Sequence, residues 1–291
     1  MIKSLFAYPG NKAKLIQTLN IPADTQVFLD PFFGGGAFTF HAMGMNPQGK
    51  FIVAEKDKTI RNILRDCQSQ GSRVELIRQT SELVTKFLVN PDPVWQAMKL
   101  DLIKGDAATK LLHQRLAFGA VARTGSNGVY NVSYSKDKAA NLPKWNPVLP
   151  DLEGLDLTIL NDWRECFNIP GVDYRDAIAL IDPPYYAPGK TSCYPGHKPK
   201  DIMTLLTVIN SVEAALATRV SKFWLTHYDV ELIQDFLNGL DDSEYAVTKT
   251  VGDTLDQLGK GIGNHKHGGR VQKRIKYNDC LWEYQNDRLS R

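Results

Sequence analysis

Two acidic motifs and a separate glutamate give this 291-residue chain side chains that could bind a cofactor and carry out chemistry. The first motif is Asp30-Pro31-Phe32-Phe33-Gly34-Gly35-Gly36, and the second is Asp182-Pro183-Pro184-Tyr185. The glutamate is Glu55, which follows the glycines by about 20 residues. Carboxylates accept hydrogen bonds from amines and hydroxyl groups, and aromatic rings stack on flat heterocycles. These residue types indicate a ligand that offers all three kinds of group.

The glycine motif follows an apolar run, residues 27–30, and predicts a turn that opens a helix. Glycine allows the backbone to approach a ligand closely, and such turns lie where parallel sheets bind cofactors. A dinucleotide fingerprint would require glycine where this chain has Thr39, and Asp30 would repel a pyrophosphate. The Asp30 carboxylate suits a cationic amine, so a nicotinamide dehydrogenase is disfavoured. A turn that only tightens packing is the alternative interpretation.

Glu55 ends a second apolar run, residues 51–55. An acidic residue at this place after a glycine turn commonly hydrogen-bonds the hydroxyl groups of a ribose. Asp57 lies two residues further on and could take the same role. The choice between Glu55 and Asp57 therefore stays open.

The second acidic motif follows residues 177–181, a continuous apolar run that predicts a buried strand. Two prolines restrict the backbone directly after Asp182 and hold its carboxylate at low entropic cost. A fixed carboxylate, the Pro183 carbonyl and the Tyr185 ring suit an exocyclic amino group on a flat heterocycle. A rigid turn without a chemical role is the alternative.

Strands that alternate with helices must position these residues. The runs 27–30, 51–55, 157–160, 177–181, 223–225 and 245–251 predict strands, and residues 202–217 have the apolar spacing of a helix. This alternation favours a largely parallel α/β sheet, in which the carboxyl ends of the strands share one edge.

Residues 62–151 interrupt the alternation. Helical spacing is found at 74–89, 94–103 and 111–121, strand-like runs are few, and Lys and Arg outnumber Asp and Glu. We therefore expect an inserted helical subdomain between a catalytic domain formed by residues 1–61 and 152–291. Residues 257–278 contain six Lys or Arg, five glycines and no acid. This segment suits contact with phosphates, and a solvated connection is the alternative.

Composition places the chain among ordinary globular proteins, with 43% apolar and 23% charged residues. The net charge of +3 excludes binding by bulk charge alone but not a locally basic nucleic-acid enzyme. The four cysteines lie far apart, so neither a zinc site nor a disulfide framework is predicted. We expect no metal, and we expect a cytoplasmic location because no signal peptide or membrane span is apparent.

The motifs Tyr8-Pro9-Gly10-Asn11-Lys12, residues 30–36 and residues 182–185, in this order, resemble those of the Dam-type (D12 class) N6-adenine DNA methyltransferases. The resemblance extends over nearly the whole chain. It implies a Rossmann-like fold for S-adenosylmethionine-dependent methyltransferases, with a mostly parallel sheet, a reversed last strand and an inserted, mainly helical DNA-recognition subdomain.

The resemblance implies S-adenosyl-L-methionine as cofactor, bound by these residues: Tyr8, Lys12, Asp30, Phe32, Gly34, Glu55, Asp162, Trp163 and Asp182. By matching positions, Tyr8 and Lys12 contact the methionine end and Asp30 takes the amino group. Glu55 binds the ribose, and Asp162-Trp163 binds the edge and the face of the adenine.

Four positions depart from the family's usual residues. Trp163 stands where phenylalanine is frequent, Glu55 where aspartate is frequent, and Asn11 where glycine is frequent. In the segment 123–134, which resembles a DNA-contacting hairpin of the family, Ser133 replaces a proline and the segment is short. The recognised DNA sequence therefore cannot be carried over.

The predicted DNA-binding residues are Arg123, Asn127, Asn131, Lys266 and Arg270. Arg123 could read guanine through O6 and N7, and a phosphate contact or a plain surface position is the alternative.

The implied reaction is methyl transfer to the N6 amino group of an adenine flipped out of double-stranded DNA. The catalytic residues are Asp182, Pro183, Pro184 and Tyr185, and Tyr186 or Tyr194 could add stacking. We expect a monomer, with a cognate restriction enzyme as a further potential partner in a restriction–modification system. The alternatives are an amino-methyltransferase that acts on RNA or on protein glutamine, and an inactive DNA-binding relative.

Overall fold

A computed structural model of the protein describes residues 4–6, 12–120, 124, 129–186, 201–240, 243–251 and 279–286. Within these residues seven strands form one sheet, in the order β3-β2-β1-β4-β5-β7-β6. The strands are β1 (Val27–Asp30), β2 (Lys50–Ala54), β3 (Asp156–Leu160), β4 (Ala177–Ile181), β5 (Lys222–Tyr228), β6 (Tyr245–Val251) and β7 (Asp279–Asn286). Strand β7 runs antiparallel to both of its neighbours, and the other strand pairs are parallel. The expected mostly parallel sheet with a reversed last strand is confirmed.

Apolar residues on both faces of the central strands explain this architecture. In β4 all five residues are buried, with Ile178 and Leu180 in one hydrophobic cluster and Ala177, Ala179 and Ile181 in the other. Because successive side chains of a strand point to opposite faces, a continuous apolar run is what a sheet covered on both sides requires.

Helices cover the sheet and connect its strands. Those within the described residues are α1 (Ala13–Ile16), α2 (Ala37–Met45), α3 (Lys58–Cys67), α4 (Gln70–Val89), α5 (Pro91–Lys104), α6 (Ala107–Leu116), α7 (Lys136–Ala140), α8 (Ile202–Ala217) and α9 (Glu231–Asn238). The predicted helix at 202–217 coincides with α8, and the predicted strands at 27–30, 177–181 and 245–251 coincide with β1, β4 and β6. No helix of the described ranges is both long and apolar enough to cross a membrane.

Helices α4 to α7 lie between β2 and β3, where a helical insertion was expected. Part of this segment has a core of its own, which includes Phe87, Trp95, Met98 and Leu116. Leu111, in contrast, packs into the main hydrophobic cluster of the sheet. Helix α3 runs across the expected boundary between residues 61 and 62, so the chain is continuous helix at that point.

Helix α6 is shorter than the predicted helical segment 111–121. It ends at Leu116, because the next residues turn to pair with residues 133–135. Ala117 forms a β-bridge with Tyr134, and the Phe118 N–H donates to the Ser133 carbonyl. These tertiary contacts override the local helical spacing.

Candidate active site

The sheet reverses its strand order between β1 and β4, which are neighbours. In open α/β sheets, ligands bind at such a switch point, outside the carboxyl ends of the strands. Asp30 ends β1, Glu55 directly follows β2, and Asp182 directly follows β4. The fold therefore brings the predicted acidic residues to one edge. We refer to the ends of β1, β2 and β3 as the cofactor half, and to the ends of β4 and β5 as the base half.

Asp30 is buried at the start of the glycine turn, with 4% of its surface exposed. The Thr39 hydroxyl, in the first turn of α2, donates to Asp30 Oδ2 at 2.7 Å. Burial raises the pKa of Asp30 to about 7, and the nearby Asp182 carboxylate adds to the rise. A buried carboxylate whose pKa is raised in spite of hydrogen bonds from Thr39 is suited to a cationic amine, which would favour its charged form.

The glycine turn contains two left-handed positions, Gly34 with φ of +53° and Gly36 with φ of +75°. A Cβ atom on Gly36 would lie 2.3 Å from the ring of Phe33. Packing within the turn therefore requires glycine at position 36 before any ligand is considered. Gly34 contributes its backbone to the site, because its N–H donates to Glu55 Oε2 at 3.0 Å.

Glu55 accepts a backbone hydrogen bond at each carboxylate oxygen. Gly34 occupies Oε2, and the Asp57 N–H donates to Oε1 at 2.8 Å. Burial raises the pKa of Glu55 to about 7 in spite of these two donors. Each oxygen retains a second lone pair for a ligand hydroxyl group.

Asp57 is occupied by structural contacts at both oxygens. Its Oδ1 caps α3 by accepting the Thr59 N–H at 2.8 Å, and its Oδ2 lies 2.8 Å from Lys110 Nζ. Burial acts to raise the pKa of Asp57, but the Lys110 ammonium and the capping bonds outweigh burial and lower it. Asp57 thus carries an ion pair as well as its capping bonds, so it has less acceptor capacity left for a ligand than Glu55.

Lys110 was not predicted as a site residue. It lies on α6 of the insertion with only 4% of its side chain exposed. Its ion pair with Asp57 connects the insertion to the residue whose backbone N–H donates to Glu55. In the sequence it is one lysine of a helical segment, and only tertiary packing shows what it contacts.

The residues after β1 and β3 contribute one aromatic ring each to the cofactor half, Phe32 and Trp163. Phe32 and Trp163 are stacked, with centroids 5.9 Å apart, and both are partly exposed. Asp162 accepts the Arg164 N–H at 3.0 Å and pairs with the Arg164 guanidinium at 2.7 Å. The Arg164 guanidinium lies over the indole, 5.0 Å from its centroid, so a flat ligand ring would have to displace it from that face.

Asp182 occupies the base half together with Lys12 and Tyr185. Lys12 Nζ lies 3.2 Å from Asp182 Oδ1 and 5.0 Å from the centroid of the Tyr185 ring. Pro183 is buried and Pro184 is exposed. The structure thus brings together Lys12 and the second acidic motif, which the sequence separates by 170 residues.

Residues at the end of β5 complete the base half, and the sequence analysis missed them. The Thr226 hydroxyl donates to Asp182 Oδ1. The ring of Tyr185 lies 4.9 Å from that of His227 and 4.7 Å from that of Tyr228. The predicted strand 223–225 could have pointed to them, because the next three residues are Thr226, His227 and Tyr228.

Of the predicted DNA-binding residues, the structure describes only Asn131, which is exposed. Arg123, Asn127, Lys266 and Arg270 lie outside the described residues, as do Tyr8 and Tyr194. Near Asn131, a β-bridge joins Thr124 to Tyr130, and the Tyr130 ring packs against that of His113 on α6. The flanks of the expected hairpin are therefore anchored to the insertion.

Across the described ranges, no group of three or more His, Cys, Asp or Glu could hold a metal ion. The described cysteines, Cys67, Cys166 and Cys280, are all buried.

A comparison with protein-family models agrees with the resemblance noted in the motifs. No curated protein matches the chain. Among solved structures, the chain is similar to an rRNA methylase from Streptococcus thermophilus, with 10% identity and a TM-score of 0.34 over 94% of this chain and 92% of that one. The family model for D12 class N6 adenine-specific DNA methyltransferases matches residues 8–251. The chain therefore belongs to the D12 class of N6 adenine-specific DNA methyltransferases, enzymes that use a methyl donor of the S-adenosylmethionine type.

Proposed function

We propose that this enzyme transfers a methyl group from S-adenosyl-L-methionine to the N6 atom of an adenine that has left the DNA duplex. The observation that carries the proposal is the position of Asp182. Its carboxylate lies at the switch point of the sheet, beside the ring of Tyr185 and next to the strand that ends in Asp30. An acceptor for an amine, a ring able to stack and the residues proposed to bind the cofactor thus lie at one edge of the sheet.

The cofactor half fits the chemical groups of S-adenosyl-L-methionine. Asp30 would accept its amino group, and the free lone pairs of Glu55 would accept the ribose hydroxyl groups. Trp163, stacked on Phe32, would present a face to the adenine ring, and Asp162 would lie at its edge. When bound, this cofactor supplies an electrophilic methyl group on a sulfonium.

The base half fits the target. The N6 lone pair of adenine is delocalised into the ring, which makes N6 a weak nucleophile. Asp182 and the Pro183 carbonyl would accept hydrogen bonds from the amino group, and these acceptors would stabilise positive charge that develops on nitrogen. Tyr185 would stack on the extruded base and so offset part of the cost of unstacking, which is a few kcal/mol. Lys12 lies between the two halves and would turn from Asp182 to the carboxylate of the cofactor.

DNA contacts are proposed for the insertion and for the basic segment 257–278. Residues 62–151 would recognise the target, while residues 1–61 and 152–291 would form the catalytic domain. Because α3 continues to Cys67, the functional boundary is better placed after that residue. Asn131, with Arg123, Asn127, Lys266 and Arg270, would contact the duplex.

The test is Asp182→Ala, with Asp156→Ala as the matched control. Asp156 is the first residue of β3, so it lies at the amino end of that strand, whereas the site lies at the carboxyl ends. We therefore expect its loss to leave the site intact. Transfer of labelled methyl groups to double-stranded DNA should fall by at least about 1,000-fold in Asp182→Ala and stay near wild type in Asp156→Ala. Calorimetry should show that Asp182→Ala still binds DNA.

Sequencing of DNA from expressing cells, with a readout of methylated adenine, identifies the product. Retained turnover in Asp182→Ala would overturn the catalytic assignment. A product other than N6-methyladenine, or methylation of RNA but not of DNA, would overturn the proposed function.

A further inference from the structure

The end of β5 carries a hydroxyl group and an imidazole that have no part in the chemistry proposed so far. Thr226 is 2% exposed and His227 is 0% exposed, so both are shielded from solvent. Buried polar side chains are costly unless they are hydrogen-bonded, and both of these groups contact the second acidic motif. Their partners show what they hold in place.

Thr226 determines which oxygen of Asp182 is presented to a substrate. Its hydroxyl donates to Oδ1, and Lys12 Nζ approaches the same oxygen at 3.2 Å. In the part of the chain that the structure describes, no donor is placed on Oδ2. The carboxylate is therefore anchored through one oxygen, and Oδ2 remains as the acceptor for an incoming amine.

His227 holds the backbone that follows Tyr185. Its Nδ1 lies 2.9 Å from the Tyr228 carbonyl oxygen, which can only accept, so Nδ1 carries the proton. Its Nε2 accepts the Tyr186 N–H at 2.8 Å. Burial lowers the pKa of His227 to about 4, so the ring stays neutral and keeps the Nε2 lone pair at physiological pH.

We propose that Thr226 and His227 are positioning residues for methyl transfer, although neither touches the reacting atoms. Thr226 aims Asp182 Oδ2 at the target amine, and His227 fixes the loop so that the Tyr185 ring faces the base. This inference rests on the proposed function, since it assigns supports to Asp182 and Tyr185. Its distinguishing consequence is a slower methyl-transfer step with unchanged binding of the cofactor.

The first experiment compares Thr226→Val, which removes the donor at constant shape, with Thr226→Ser, which keeps it. Thr80→Val is the control, because Thr80 is also fully buried. Its hydroxyl donates to a backbone carbonyl, that of Leu76 in the same helix, α4. In single-turnover assays we expect Thr226→Val to transfer methyl groups about 10- to 100-fold more slowly. Thr226→Ser should recover to within about threefold, and Thr80→Val should match the wild type.

The second experiment applies the same comparison to His227. His227→Phe keeps the ring but loses the acceptor, whereas His227→Gln keeps an acceptor. We expect His227→Phe to slow transfer by about tenfold and His227→Gln to be less impaired. For all variants, calorimetric affinity for S-adenosyl-L-methionine should stay within about twofold of the wild type, and the melting temperature reports whether each one folds. If Thr226→Val does not fold, Thr226→Ala and His227→Phe provide the same measurement.

Wild-type transfer rates for Thr226→Val and His227→Phe would overturn the inference, as would equal losses in Thr226→Ser and Thr226→Val. A loss confined to thermal stability would also overturn it, because the residues would then be structural only. These outcomes differ from failure of the proposed function, in which the wild-type protein itself does not methylate adenine in DNA.

Discussion

The two halves of the active site hold their carboxylates by different means. In the cofactor half, Glu55 is held by the backbone N–H groups of Gly34 and Asp57, and Asp30 is held by Thr39 in the first turn of α2. In the base half, Asp182 is held by side chains that are distant in sequence, Lys12 and Thr226. One half is fixed by local backbone structure, and the other is assembled by tertiary contacts between side chains.

This difference assigns a separate task to each half. Backbone donors cannot rotate away, so Glu55 and the glycine turn are held in one arrangement, as the proposed cofactor site requires. Side-chain donors can exchange partners, so the ion pair of Lys12 with Asp182 can be broken when the substrates arrive. We therefore expect changes in the cofactor half to alter cofactor affinity and, with the exception of Lys12, changes in the base half to alter the rate of transfer.

The largest expected effect in the cofactor half comes from Asp30→Asn. The amide keeps an acceptor for Thr39 but loses the charge that pairs with a cationic amine, so cofactor affinity should fall roughly 30- to 100-fold in calorimetry. The cofactor-free variant should be more stable than the wild type at pH 8, because a buried and poorly compensated charge has been removed. Asp24→Asn, an exposed carboxylate before β1, is the control. Unchanged affinity would place the amine elsewhere.

The strand ends of the cofactor half could be predicted from sequence because the signals are local. An apolar run that ends in Asp30 or in Glu55 puts the carboxylate at the edge of the sheet, and the glycines mark the turn between β1 and α2. Strand β7 was expected only from the family resemblance. Its partners β5 and β6 are set by long-range pairing, which no local pattern reveals.

The supports of the base half could not be predicted, for the same physical reason. Thr226 and Asp182 are 44 residues apart, and they meet only because β4 and β5 are adjacent in register. Likewise, the sequence alone indicates that Lys110 is a surface lysine of a helix. Its contact with Asp57 depends on the packing of α6, which the sequence does not show. Sequence patterns identify which residues carry chemistry, whereas the residues that hold them follow from the topology.

A second expected effect, of intermediate size, is a pH dependence of cofactor affinity. Burial raises the pKa of Asp30 and of Glu55 to about 7 in the folded protein, well above the values near 4 of an unfolded chain. The cationic amine requires charged Asp30, so binding should release protons and strengthen as the pH rises through 7.

For one carboxylate with this pKa, affinity should be about tenfold higher at pH 8 than at pH 6. The sign for folding is the opposite: the stability of the cofactor-free protein should decrease as the pH rises from about 4 to 7, because the folded state binds these protons more tightly. Calorimetry in two buffers of different ionisation enthalpy measures the proton release. A flat profile, with no protons released, would mean that Asp30 is already charged before the cofactor binds.

The smallest expected effect tests whether the cofactor half depends on the insertion. Lys110→Met removes the buried ammonium but keeps the length of the side chain, so Asp57 loses its partner while still capping α3. Because the Asp57 side chain is one-third exposed, the cost in unfolding free energy should be limited to about 1–2 kcal/mol. Cofactor affinity should weaken only about threefold, since Glu55 is reached through the Asp57 N–H and not directly.

A double-mutant cycle with Asp57→Asn isolates the interaction between Lys110 and Asp57. A coupling energy near zero would show that the insertion does not support Glu55, the residue proposed to bind the ribose. A slower transfer rate at unchanged affinity would instead connect Lys110 to the base half. The division between the two halves would then fail at the contact between Lys110 and Asp57.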